Sequence, residues 1–333
     1  MQTQLSANVL RCGFENSDDI NESHTLGIVN YSTASEGPGI VDGIPTVGIH
    51  TAKGANERFR EVWSSASATQ SGQYRGLCYG HDGEYLFCAG SIPGASRYRE
   101  LVKTSYQDLL ALTVELDYPY IFRMWNFISH INSPNGEGME VYQDFCQGRA
   151  EAFETYSGKW TSRLSAATGI GAHGDGLVFY CIASRSRKPV HIESPRQVPA
   201  YQYPRQYGPR SPSFARASYL PTIADEPGGT LYLSGTASVI GHATAHPGDL
   251  AKQCDTTLEN IHHLLTASPA NNGETPTLND LRLVKVYVRH ENDIPFVRER
   301  CAQAFVPSAR IQFLNVDICR ADLLLEIEGI ADI

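Results

Sequence analysis

The sequence is short of several things, and each shortage closes a route. Positive charge is scarce: 27 Lys and Arg stand against 36 Asp and Glu, a formal net charge of -9, whereas nucleic-acid-binding proteins normally leave a basic footprint. None of the eight cysteines forms a C-x-x-C pair, and several, such as Cys88 in "YLFCAG" and Cys181 in "LVFYCIAS", sit inside apolar runs. Free buried thiols in a reducing cytoplasm are expected. No run approaches the ~18 apolar residues of a membrane helix, and "MQTQLSANVLRCGFENSDD" lacks the apolar centre of a signal peptide. These absences predict a cytoplasmic protein whose partners are small molecules, with no role for nucleic acid or membrane.

Motifs for phosphate, metal or a serine nucleophile are missing too. "HATAH" places His242 and His246 four apart but runs into "PGD", which reads as a loop rather than a helical zinc site. "GIGAHGDG" lies between two strand-like segments instead of opening a helix, so it does not cradle phosphate. No nucleophile elbow, P-loop or metal cluster is found in the sequence.

What is present supports packed cores. Hydrophobic residues make up 41% and charged residues 19% of 333, enough for two medium-sized units. Arginine outnumbers lysine 21 to 6, and arginine grips carboxylates with a planar two-point fork.

The chain also repeats itself. From "EYLFCAGSIPG" to "LVFYCIAS", and again from "TLYLSGTASVIGH" to "LLLEIEGIA", the pattern spells strand, helix, strand, helix, strand, strand. The helical segments carry apolar residues at three- and four-residue steps, as in Leu258, Ile261, Leu264 and Leu265. The expected fold is α+β: two tandem sheet units, each covered by helices on one face. The first domain spans 1–190 with an N-terminal extension, and the second spans 191–333 with the inter-repeat loop. That loop contains Tyr201, Tyr203, Tyr207 and Phe214, too aromatic for a flexible linker, and is expected to pack near a site. Strand-like pieces before residue 70 are expected to extend the first sheet or cover its edge.

Comparing the repeats separates scaffold from site. Aligning "CIA" with "GIA" sets Val178 against Glu326 and Tyr180 against Glu328, and one gap sets Arg163 against Arg310. The fold therefore works without a carboxylate there. A carboxyl among apolar neighbours resists ionising, which makes Glu326 a candidate general acid, although a structural Glu paired with arginine fits the same letters. Arg310, on the preceding strand, either binds a substrate carboxylate or neutralises that Glu. Cys319 is a packing residue or a reactive thiol.

Two resemblances follow from these residues. "LYLSGTASVIG", "VKVYVRHEND" and "LLLEIEGIA" make the second repeat similar to the RidA/YjgF fold, whose members carry an Arg and a Glu matching Arg310 and Glu326. Trimeric assembly of that fold implies a possible homotrimer, or a pseudo-trimer using both repeats. "MWNFISHIN", "YQDFCQGRAEAF", "ATGIGAHGDGLVFYCIAS", "YGPRSPSFARA" and "LYLSGTAS", in this order over roughly 70–333, resemble the chorismatase family. This resemblance implies release of pyruvate from chorismate with neither metal nor organic cofactor, Glu326 as the acid, and Arg149, Tyr207, Arg216, Ala237 and Arg310 around the substrate. A Cys seven residues before the Glu, here Cys319, marks the members that form 3-hydroxybenzoate, whereas Ala237 resembles the hydrolytic type that yields a dihydroxycyclohexadiene carboxylate. A RidA-like imine deaminase and a non-catalytic carboxylate sensor are the alternatives.

Overall fold

The computed structural model describes residues 9–15, 21–54, 57–156, 164–222, 228–269 and 274–333. Apolar and β-branched runs form the strands. In the first repeat these are β6 (Gln70–Tyr74), β7 (Leu77–His81), β8 (Tyr85–Ile92), β9 (Tyr120–Ser129), β10 (Ala166–Ala172) and β11 (Leu177–Ser184). The second has β12 (Val190–Ile192), β13 (Ala217–Pro221), β14 (Gly229–Ala237), β17 (Leu281–Val288), β18 (Arg310–Asn315) and β19 (Leu325–Asp332), besides the short hairpin of β15 (Val239–Ile240) and β16 (Ala243–Thr244).

The two sheets have one topology. Their orders are β10-β9-β11-β8-β7-β6 and β18-β17-β19-β14-β13-β12. In each, only the pairs β9/β10 and β17/β18 are parallel. Helices cover one face. Helix α1 (Arg99–Glu115) buries Val102, Tyr106, Leu109 and Leu112, and α2 (Val141–Tyr156) buries Val141, Phe145 and Phe153, the spacing of a helix with one apolar face. Helix α3 (Leu250–Thr266) is capped by the Asp249 side chain on the Lys252 N–H and buries Cys254, Ile261, Leu264 and Leu265 beside α4 (Ile294–Ala304).

The N-terminal residues differ from expectation. β1 (Arg11–Glu15), β2 (Thr25–Ser32), β3 (Glu36–Val41), β4 (Ile44–His50) and β5 (Phe59–Ser64) make a separate sheet, ordered β3-β4-β2-β5-β1, while only 70–81 extend the first repeat's sheet. β2 and β4 are parallel, and β5 is antiparallel to both β2 and β1. This is the connectivity of β9, β10, β11 and β8, so the described residues of the extension form a third copy of the strand core without its two helices.

The three copies form a closed ring. β4 of the extension meets β8 of the first repeat, whose β10 meets β14 of the second. The second repeat returns to the extension through the Arg282 Nη1–Cys12 carbonyl bond of 3.1 Å. The helix-free faces share one inner core that includes Tyr31, Trp63, Trp125, Phe127, Tyr180, Tyr232 and Tyr287. Among the described residues no helix is long and apolar enough to cross a membrane.

Pairing registers fix the equivalences. Val29 faces Glu61, Trp125 faces Tyr180, and Lys285 faces Glu328. Val178 lies opposite Phe127 and Glu326 opposite Tyr287, so the alignments of Val178 with Glu326 and Tyr180 with Glu328 hold. Arg163 lies outside the described residues. Leu283 pairs with Arg310 as Arg123 pairs with Ala166, so Ala166 takes the place of Arg310 in the first repeat.

Candidate active site

Where β10 of the first repeat meets β14 and β19 of the second, the sheets part around a cavity of about 450 Å³. Ala167 and Gly169 form one wall, Gly235, Ala237 and Glu326 the other, and Gln197, Tyr203, Tyr207, Pro212 and Phe214 of the inter-repeat loop the roof. The loop packs over the site, as its aromatic content predicts, with short 3₁₀ turns at 200–202 and 205–207.

Glu326 projects from β19, paired with Ala237 on one side and Tyr287 on the other. Its neighbours explain a local irregularity: the β14/β19 register shifts between Leu233 and Thr236, and a Cβ on Gly235 would overlap Glu326 Oε1. Only glycine leaves room for the carboxyl. Burial first, and the charge of Glu328 second, push Glu326 up to about 8, against the opposing pull of Arg216 and Arg123. At neutral pH it therefore holds its proton.

Cys319 lines the cavity with Sγ 3.9 Å from Glu326 Oε2. Burial and the neighbouring carboxyl raise its thiol, so it remains S–H. Tyr142 of α2 stands nearby with its phenol raised by burial, and half-buried Glu140 at the wall is raised by the same cause.

Arg216, 4% exposed, donates from Nη2 to Tyr203 Oη at 2.6 Å and to the Val198 carbonyl at 3.2 Å, while its buried Nε has no partner. Arg320 lies 4.1 Å from the Tyr207 ring centre and 5.2 Å from that of Tyr203, and donates to Thr244 Oγ1 at 3.3 Å. Neither guanidinium has an ion-pair partner among the described residues. Two cations without counter-ions beside a protonated carboxyl suit a substrate with two carboxylates. Asp322 sits at the exposed mouth and accepts from Thr244.

Five of the seven residues singled out in the sequence meet here: Glu326, Cys319, Tyr207, Arg216 and Ala237. Arg149 does not reach the cavity. It lies buried behind Phe214, donating to the Ser213 carbonyl at 2.6 Å, and so props the roof. Arg310 is a correction: it is 52% exposed, 3.9 Å from Glu15 at the junction with the extension. A parallel pairing to β17 puts it three strands away from β14, on the far side of β19 from the cavity. Arg320 was missed, because it has no counterpart signal beyond its place next to Cys319.

Known proteins resemble this chain in sequence and fold. A family model for the N-terminal part of FkbO/Hyg5-like chorismatases matches residues 61–183. A 3-hydroxybenzoate synthase of Streptomyces hygroscopicus is 50% identical over 313 residues, covering 92% of this chain and 91% of its own. A chorismatase of Streptomyces rapamycinicus is 40% identical over 326 residues, covering 96% and 97% respectively. A chorismatase crystal structure, 36% identical, superposes with a TM-score of 0.92 over 98% of this chain and 99% of that one.

Proposed function

The chain belongs to the chorismatase family, and on that footing we propose that it converts chorismate to 3-hydroxybenzoate and pyruvate. The observation that carries this reading is a buried carboxyl, Glu326, facing a cavity that holds two guanidinium groups without counter-ions among the described residues. Chorismate carries two carboxylates and an enol ether. Arg216 takes one carboxylate and Arg320 the other, which orients the ether's terminal carbon toward Glu326.

Glu326 gives its proton to that carbon, producing an oxocarbenium ion and a carboxylate. The ring hydroxyl oxygen then closes on the carbon bearing the ether, whose C–O bond breaks to release pyruvate. The hydroxyl proton returns to Glu326, relayed by the Cys319 thiol. The resulting arene oxide opens at its other carbon and loses the ring hydrogen, leaving 3-hydroxybenzoate. The aromatic roof of Tyr203, Tyr207 and Phe214 keeps water from the cation.

Support for the intramolecular route over hydrolysis comes from Cys319 beside Glu326 and from the 50% identity to the synthase. Glu326→Gln tests the reading: pyruvate release should fall by at least about 10³-fold, while binding of a substrate-like dicarboxylate persists. Turnover close to wild type would reject Glu326 as the acid. The ring of three strand copies also leads us to propose a monomer in place of the homotrimer suggested by the sequence.

A further inference from the structure

Behind the cavity, where equivalent strands of the three copies converge, lies a buried ionic cluster that the reaction above leaves unused. Lys285 Nζ reaches Glu61 Oε2 at 2.6 Å, Glu328 Oε1 at 2.9 Å, Tyr31 Oη at 2.9 Å and Tyr180 Oη at 3.1 Å. Glu328 also accepts from Arg123 Nη2 and Trp125 Nε1, both at 2.7 Å, and from the Thr168 hydroxyl. All the charged members are at most 4% exposed. Two cations balance two anions, so the cluster is neutral without Glu326.

The cluster touches the site through one hydroxyl. Thr168 donates to Glu328 and accepts from Arg123 and from the Gly235 N–H at 3.0 Å, and Gly235 is the residue whose backbone abuts the Glu326 carboxyl. Glu326 and Glu328 share a strand face at two-residue spacing, roughly 7 Å apart. Resting on the function proposed above, we propose that Glu328 is a positioning residue for the acid: a fixed buried anion that keeps the proton on Glu326 until substrate receives it. Glu328 itself stays ionised. Burial opposes this, but Lys285 and Arg123 overcome it and hold the carboxyl at about 2.

The other groups facing Glu326 are Arg216 from the loop before β13, Arg123 from β9, Cys319 and Arg320 from the segment before β19, Tyr142 from α2 and Tyr287 from β17. Arg216 and Arg123 pull the proton away. A substrate carboxylate on Arg216 cancels one of these pulls, so binding itself strengthens Glu326's hold on its proton.

The test is the pH profile of kcat/KM for pyruvate release by the wild type and Glu328→Gln. An acid that must be protonated gives activity that falls above its pKa. In Glu328→Gln this basic limb should move down by about one pH unit, with activity at pH 6 changed far less than at pH 8. A uniform loss at every pH, or an unmoved limb, overturns the proposal. Should the variant not fold, calorimetry on the wild type at pH 8 in two buffers of different ionisation enthalpy decides: isophthalate binding should take up part of a proton, and no uptake overturns it. Wild-type protein that releases no pyruvate from chorismate rejects the function instead, which separates the two failures.

Discussion

At the scale of single residues, Glu326 carries opposite demands of stability and chemistry. Its folded pKa of about 8 lies above the ~4.3 of an unfolded Glu. Between those values the folded state keeps a proton that the unfolded state loses, so stability falls as pH rises through this window. Each unit corresponds to about 1.4 kcal/mol, which makes the full effect on the order of 5 kcal/mol by pH 8.5. Glu326→Gln cannot titrate. Thermal melts should therefore show the variant gaining on the wild type as pH rises from 4.5 to 8.5, and a difference independent of pH would contradict the assigned protonation. Glu326 was legible from the sequence because its counterpart is Val178; the need for a carboxyl is local to the second repeat. Arg310 was misplaced because strand order is not visible in a linear spacing of sixteen residues.

At the scale of elements, apolar periodicity disclosed nearly everything in the two helix-bearing repeats, down to the equivalence of β11 with β19. The extension hid its kinship because its described residues form no α-helix, and short strands separated by Gly-rich turns carry no 3.6-residue period to align. The inter-repeat loop was legible as a packed segment from Tyr203, Tyr207 and Phe214. Its partner Arg320 was not, since what gives that residue meaning is stacking on two rings that lie over a hundred positions earlier in the chain. Arg149 illustrates a related limit. Its helix position is compatible with facing the cavity or facing the loop's underside, and the Ser213 carbonyl decides for the latter.

At the scale of the whole molecule, three copies of one strand core in a single chain close a ring around Lys285. The junctions between copies, such as Arg310–Glu15 and β10–β14, lie within the one chain. Light scattering should give the mass of one 36.6 kDa chain, and a threefold mass would contradict the closed ring. The same closure lets the junctions differ: once the copies share a chain, each can diverge, and it is the junction of first and second repeats that brings Gly235, Glu326, Cys319 and Arg216 around one cavity. The measurement that bears most directly on the whole account is chromatography of the products when the purified protein is given chorismate. Pyruvate and 3-hydroxybenzoate in equal amounts are expected, and a non-aromatic diene acid as the main ring product, or no pyruvate, would contradict it.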